Sequence, residues 1–436
     1  MSKSPAFFVR KDMLPQLPPP ASQQGAVKWA RENLFSSPLN AFLTLMGLAA
    51  VVFLVIEFTP WFLHSVWNAK SLAECREIIA ATWGEGANGA CWAVIKERWP
   101  QYLFGFYPSH LYWRPVLAFA LMFVALAPIL FSSVPRQVLW FSLLYPAIGY
   151  LLLWGGSVWI PVVALAGFAI GFVAARIIHP IGGAIPATIS AVVLPVIWWV
   201  FLAGVAADLL QSVVPLGLEA VRSREFGGFV LAFTIGVTGI VFSLPLGIML
   251  ALGRQSDMFI VNKLSVGFIE FIRGVPLITL LFTASLLLNY FLPPGTDFDI
   301  ILRVIIMVTL FAAAYIAEVI RGGLAALPKG QYEAADALGL DYWKATRLII
   351  MPQALKISIP GIVSTFIGLF KDTTLVVFVG LLDPLKGITD AVRATTDWKG
   401  IYWEPYIFVG AIFFIICFSM SRYSMYLERK LKTDHR

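Results

Sequence analysis

Lys371, Asp372, Thr373 and Thr374 stand in a row inside an otherwise apolar stretch, GLFKDTTLVVFVG. An ionisable group inside such a stretch is costly and points by default to function. The ammonium and hydroxyls donate to a carboxylate, and the carboxylate and hydroxyls accept from an ammonium, which is what the two ends of a zwitterionic amino acid require. The competing reading is bonding between neighbouring helices. Adjacent residues diverge by about 100° on a helix, so Lys371 and Asp372 form no tidy pair unless the helix is interrupted. Gly368 and Gly380 flank the place where it would loosen. Glu270 with Arg273, and Glu318 with Arg321, are spaced i, i+3, so each pair is expected to meet on one helix face. Mutual neutralisation explains both pairs, with Glu270 and Arg273 also candidates for substrate contact and Arg321 an interface anchor.

Other chemistry is missing from the sequence. It has no G-x-x-x-x-G-K-[ST] phosphate loop, no H-E-x-x-H and no G-x-S-x-G. His64, His110, His179 and His435 are too dispersed for a metal cluster, so neither a metal nor a cofactor is expected in this chain. Cys75 and Cys91 lie sixteen residues apart in a polar stretch. A disulfide closing that loop would contribute about 3 kcal/mol; two free thiols are the alternative. Cys417 lies in an apolar run.

The elements that must position these residues follow from composition. Of 436 residues, 59% are hydrophobic and only 13% charged, with a mean hydropathy of +0.81. Those values exclude a soluble enzyme and a single-anchor receptor. Apolar runs of about 18 residues or more fall at 39–58, 113–131, 137–154, 157–175, 187–207, 227–252, 264–290, 301–320, 356–380 and 404–422, an all-α polytopic membrane protein of about ten spans. The polar, Pro-rich first 38 residues have no cleavable signal pattern, so the first run is expected to be an uncleaved anchor. With the N-terminus inside, about 19 Lys/Arg fall on cytoplasmic segments and about 9 on the other side, as the positive-inside rule requires. Both termini are then cytoplasmic, and the net charge of +7 reflects orientation rather than a nucleic-acid site. The outside loops become about 59–112, 208–226, 291–300 and 381–403. Trp61, Trp67, Trp154, Trp159, Trp198 and Trp199 fit interfacial belts.

Between the eighth and ninth runs lies GGLAALPKGQYEAADALGLDYWKATRLIIMPQALK. Glu333 opens a good helix former, Gly339 permits a left-handed turn after it, and WKATRLIIMP is expected to form a second amphipathic helix. The run EAADALG, nine further residues and IIMP resemble the EAA signature of ATP-binding-cassette importer permeases. Glu333, Ala334, Ala335, Gly339, Ile349 and Pro352 match it, and Met351 replaces the usual Leu with another apolar side chain of similar volume. FIEFIRGVPLITLLF, AAAYIAEVIRGGLAALPKGQYEAA and GLFKDTTLVVFVGLLD resemble polar amino-acid uptake permeases. The extra leading spans resemble the longer permeases of broad-specificity L-amino-acid importers of Gram-negative bacteria.

The resemblance implies a type I permease core at 226–422 with a cytoplasmic coupling loop at about 328–356. Residues 1–38 and 423–436 would be cytoplasmic tails, and 39–225 an extension bearing a periplasmic cap at about 59–112. The expected protein is a non-catalytic permease subunit of an importer in a bacterial inner membrane. A pair of ATPase subunits would grip the coupling loop and bind ATP and magnesium. A periplasmic amino-acid-binding protein would deliver substrate, and a second homologous permease or a second copy would complete the pore, surrounded by lipids. An ion-gradient-driven secondary transporter or channel is the rival. Lys371, Asp372 and Glu270 would be its proton relay and ten spans would form two inverted repeats, but the first five spans echo no motif of the last five.

Overall fold

The computed structural model describes residues 25–287, 290 and 299–431. Most of the expected N-terminal tail, most of the loop at 291–300, His435 and the end of the C-terminal tail lie outside these residues. Backbone groups in hydrocarbon must pair within their own segment, so the apolar runs fold as helices. Among the described residues nine helices are long and apolar enough to cross a membrane, and a bent pair makes ten if it counts as one span. The chain divides into two compact units, Met1–Ala93 and Val94–Arg436.

In the first unit α1 (Gly25–Asn33) precedes α2 (Pro38–Leu63), which is capped by Ser37 Oγ accepting from the Asn40 amide at 3.1 Å. α2 runs five residues past the expected end at 58. Ser71 caps α3 (Leu72–Trp83) through the Glu74 amide, and the Glu74 carboxylate reaches back to the Lys70 amide at 2.7 Å, a variant of the capping box. Cys75 and Cys91 are buried and joined in a disulfide, their Cα atoms 6.1 Å apart. The Ala90 amide donates to the Trp61 carbonyl at 2.8 Å, and the Trp92 ring stacks on Trp67 and meets Trp61 edge-on. A Cβ on Gly89 would overlap the His64 carbonyl, so this approach requires glycine.

The second unit begins in α4 (Ala93–Phe104) and continues through α5 (Trp113–Leu130), α6 (Leu139–Trp154) and α7 (Trp159–Gly182). Next come α8 (Ala184–Ile197) and α9 (Ala203–Val213), joined into one span by a π turn at Trp198–Leu202. Strands β1 (Gly156–Ser157) and β2 (Gly217–Leu218) pair antiparallel. After α10 (Gly228–Arg254), α11 (Phe259–Gly274) and α12 (Leu277–Phe282), the described chain resumes with α13 (Ile300–Ala325), α14 (Lys329–Ala337), α15 (Tyr342–Ala345) and α16 (Met351–Asp372). It closes with α17 (Pro384–Ala394) and α18 (Trp403–Leu431). α13 is the buried centre, packed chiefly on α10 and α16. Its Ala312, Ala313, Ala314 and Ala317 are essentially inaccessible, and such small side chains let helices approach closely in a membrane. Gly247 of α10 meets Ile316 so tightly that a Cβ there would stand 2.6 Å from its Cγ2.

Several expectations are corrected. The run at 264–290 is not one straight span: the chain bends by 102° between Gly274 and Leu277. Pro276 lacks an amide proton and drives Val275 into an extended conformation, φ −107° and ψ 132°, as a residue preceding proline prefers. WKATRLIIMP is not a separate helix either, because α15 passes through a π turn at Thr346–Ile350 directly into α16. Three of the tryptophans expected in interfacial belts also bond within the protein: Trp154 Nε1 donates to Ser223 Oγ at 2.7 Å, Trp198 Nε1 to the Val163 carbonyl at 2.7 Å and Trp199 Nε1, on an exposed ring, to the Ala164 carbonyl at 3.0 Å.

Two buried charged residues hold the ends of helices. Arg114, 1% exposed, donates from Nε to the Leu152 carbonyl at 2.7 Å, from Nη1 to Glu219 at 2.7 Å and from Nη2 to Leu151 at 3.3 Å. Carbonyls in the last turn of a helix lack intrahelical donors and favour a cation, so Arg114 clamps the end of α6 to the loop before α10. Asp383, also 1% exposed, caps α17 by accepting from the Leu385 and Lys386 amides at 3.0 and 3.1 Å.

Arg114→Met keeps most of the volume but leaves these carbonyls without their donors, and it is expected to cost about 3 kcal/mol of stability. Thermal unfolding of the solubilised protein measures this, and an unchanged melting temperature refutes the clamp. Burial pushes the Asp383 carboxyl up to about 6, against the opposing pull of the two amides and Lys386. The folded state therefore binds this proton more tightly than the unfolded chain. The resulting stabilisation is full below about pH 4 and is lost as pH rises through 6, about 2 to 3 kcal/mol in all. Asp383→Asn keeps the cap, so its melting temperature should vary less than the wild type's between pH 4 and 7; equal slopes refute the assignment.

Candidate functional site

The loop between α13 and α16 projects as a helix and a turn. Pro328 precedes α14, and Gly339 closes it with φ +66°, a left-handed position that glycine adopts without penalty. Asp341 then caps α15 through the Lys344 amide at 3.0 Å, while Lys344 Nζ pairs with its carboxylate at 2.9 Å. That hydrogen-bonded ammonium holds the Asp341 carboxyl below its ordinary value. Gln353 Nε2 of α16 donates to Gln331 Oε1 of α14 at 2.9 Å and fixes the loop to the following span.

The signature residues separate by direction. Ala335 is 1% exposed and packs inward, and Ile349 lies half-buried against a cluster that includes Leu327, Ile350 and Met351. Glu333 and Ala334 are exposed, as is Pro352 in the first turn of α16. Around them Leu338, Tyr342, Trp343 and Leu348 remain 57 to 73% exposed, a concentration of large apolar side chains on a loop that is costly in water and suits a partner surface. The inward cluster continues into Ala251 of α10, Ile269 of α11 and Ile316, Ala317 and Ile320 of α13, so the loop is seated on three core helices at once.

Beside this cluster five charges interlock. Arg254 Nη1 lies 2.8 Å from Glu270 Oε1 and 2.7 Å from Glu318 Oε1, Arg321 Nη2 is 3.1 Å from Glu318 Oε2, and Arg273 Nη1 is 3.6 Å from the same oxygen. Glu318 and Arg321 thus meet as their spacing predicts. For Glu270 that expectation is corrected: its partner is Arg254 of the preceding helix, and Arg273 turns to Glu318 and to the face of Tyr315, 5.6 Å from the ring centroid. Arg254 was not singled out in the sequence; a basic residue ending an apolar run, sixteen positions before a glutamate inside the next one, is the only local sign of it.

Lys371, Asp372, Thr373 and Thr374 lie at the other end of α16. The α-helix ends at Asp372 and tightens into a 3₁₀ segment, Thr373–Val379, which closes on Gly380 at φ +86°. The two hydroxyls are spent on the backbone, Thr373 Oγ1 on the Phe370 carbonyl at 2.7 Å and Thr374 Oγ1 on Lys371 at 2.9 Å. Lys371 is exposed and forms no ion pair with any described residue, and Asp372 is half-buried. From Met351, which touches the same cluster as Ile269, to Lys371 is about 30 Å of helix. Glu270 and Arg273 are therefore not brought together with Lys371 and Asp372, and these groups do not line up as a proton relay. Among the described residues no group of three or more His, Cys, Asp or Glu is placed to hold a metal.

The profile of the family described as binding-protein-dependent transport system inner membrane component matches residues 243–433, taking in the projecting loop and most of the core. Over 434 residues the chain is 67% identical to the glutamate/glutamine/aspartate/asparagine transport system permease protein BztC of Rhodobacter capsulatus, aligning 99% of this chain with 100% of that protein. It is 40% identical over 428 residues to the inner membrane amino-acid ABC transporter permease protein YhdY of Escherichia coli K12, aligning 97% of this chain with 98% of that one. Among solved structures, it is similar to an amino acid ABC transporter crystallised with histidines, at 29% identity and a TM-score of 0.41 over 46% of this chain and 91% of that chain.

Proposed function

The chain belongs to the amino-acid ABC transporter permeases, the binding-protein-dependent inner-membrane components, and on that premise we propose that it is the spanning subunit of an ATP-driven importer coupled through the α13–α16 loop. The observation that carries this reading is the loop itself: α14 is locked to the core by Ala335 and the Gln331–Gln353 bond while Glu333 and a set of apolar side chains face outward. A pair of ATPase subunits is the partner that such a surface fits, with ATP and magnesium bound there and no catalytic residue in this chain. The relative from Rhodobacter capsulatus is named for glutamate, glutamine, aspartate and asparagine, and we extend that substrate class to this chain. A periplasmic binding protein would present the amino acid, and a homologous permease or a second copy of this chain would supply the other half of the pore. Both termini would be cytoplasmic.

In this reading Lys371 supplies the cation for a substrate carboxylate and Asp372 an acceptor for its ammonium. Glu270 and Arg273 serve the ion network below rather than the substrate.

Glu333→Arg places a cation where the partner is proposed to meet a carboxylate, and losing such a pair costs more than about 2 kcal/mol. ATP-driven uptake in vesicles should fall at least about tenfold while insertion is unchanged; Gly339→Val, which φ +66° disfavours, should act likewise. Normal uptake by both variants sinks the coupling role. Lys371→Met should raise the substrate concentration for half-maximal uptake of glutamate by about tenfold without altering ATPase activity in the absence of substrate. An unchanged concentration dependence removes Lys371 from the site.

A further inference from the structure

A slot of about 430 Å³ runs between α5 and α6 on one side and α10 and α13 on the other. Its walls extend from Ser142 to Trp154 on α6 and from Ala118 to Ile129 on α5, about 17 Å of helix. The hydrocarbon core of a bilayer is about 30 Å thick, so each leaflet is about 15 Å deep. The slot is thus long, narrow and slightly deeper than one leaflet.

Most of its lining is apolar. Three hydroxyls in the walls are already spent: Ser142 Oγ donates to the Ala125 carbonyl at 2.6 Å, Tyr145 Oη to Ala118 at 2.8 Å and Thr234 Oγ1 to Val230 at 2.7 Å. Ile129, Phe242 and Leu302 line it yet remain 61%, 48% and 45% exposed, so it opens sideways, which for membrane spans means toward lipid. One end is polar. There Asp299 caps α13, accepting from the Ile301 and Leu302 amides at 2.9 and 3.1 Å and from Ser223 Oγ, which itself accepts from Trp154 Nε1. Arg222 and Arg224 flank Ser223, both exposed and without an ion pair among the described residues. Asp299 is satisfied by its own donors; among the described residues Arg222, Arg224 and the adjacent Glu225 have no ion pair, so this segment carries a formal charge of +1.

We propose that the slot is a phospholipid site, holding one acyl chain between the leading spans and the core, with the lipid phosphate at Arg222 and Arg224. The mouth borders the loop between α9 and α10, the periplasmic side in the orientation proposed above, and this clause rests on that reading. An acyl chain here fills a void that would otherwise forfeit contacts on both walls, and the single negative charge of a lipid phosphodiester offsets the net positive charge of the Arg222, Arg224 and Glu225 segment.

The test uses the full chain with its partner subunits in vesicles of phosphatidylethanolamine and phosphatidylglycerol containing a trace of phosphatidylethanolamine with a photoreactive acyl chain. After photolysis, adducts are mapped by mass spectrometry. Met122 and Phe242 in the slot should carry about tenfold more adduct than Phe168 and Phe172 on α7, which are exposed to bulk lipid. Thr238→Phe, which fills the slot, should remove that excess, and Leu126→Trp serves if the first variant fails to assemble. Arg222→Ala with Arg224→Ala should lower it. Adduct density equal to that at Phe168, an excess that survives slot filling, or cross-links from the walls to another protein helix each overturn the proposal. Equal adduct density with normal ATP-driven uptake removes the lipid site alone, whereas a slot excess without such uptake removes the transport reading alone.

Discussion

Glu318 is the point on which the lower half of the core depends. Three guanidinium groups, from α10, α11 and the last turns of α13, come within ion-pair distance of two carboxylates, and Glu318 takes contacts from all three. At 15% side-chain exposure it has little water to share with them. A partly buried ion pair is weak support for net stability, because desolvation offsets attraction, but removing one member leaves the others uncompensated. The network therefore fixes geometry more than it adds stability: α10, α11 and α13 cannot slide past one another without separating charges. The apolar cluster beneath it includes Leu327, Ile350 and Met351, the roots of the projecting loop. A force applied to α14 is delivered to a rigid three-helix seat.

The same residues show what a sequence reveals and what it withholds. The loop was legible because its determinants are local: the signature spans about twenty positions, and the Gly339 turn follows from one residue's freedom at positive φ. Spans were legible because hydrocarbon forces long apolar helices. The bend at Pro276 was hidden because apolarity continues across it and only one proline marks it. Glu270 was matched to Arg273 by spacing, whereas the structure gives it Arg254 from another helix, a choice made by packing of α10 on α11 rather than by periodicity. Arg114 stands at the start of an apolar run, which the sequence displays, but its task depends on the Glu219 carbonyl, 105 positions away.

Within the second unit the leading helices reach the core at both ends of the spans. At one end Trp398 Nε1 donates to Glu97 at 2.9 Å, and the Gly227 and Leu382 backbones pair beside Gly105, where added Cβ atoms would collide. At the other, Lys430 Nζ of α18 lies 2.7 Å from Ser132 Oγ and Phe131 packs edge-on to Tyr423. Attachment at the ends with a slot between them resembles a brace more than a second pore. Both relatives align with this chain through this region.

α16 joins the two places where the proposed mechanism is felt, and it is packed into the protein at both. Its lower end is fixed by the Gln331–Gln353 bond and by Met351 and Ala354 in the apolar cluster. Its upper end passes into a 3₁₀ segment that closes on a left-handed Gly380, with Leu369, Phe370, Thr373 and Val376 buried in the core. Over a lever of about 30 Å, a tilt of about 5° at the lower end displaces Lys371 by about 3 Å, the difference between making and losing a hydrogen bond to a carboxylate. A small movement of the loop is therefore enough to change what Lys371 can hold, provided the lower seat is stiff, and the charges around Glu318 make it so.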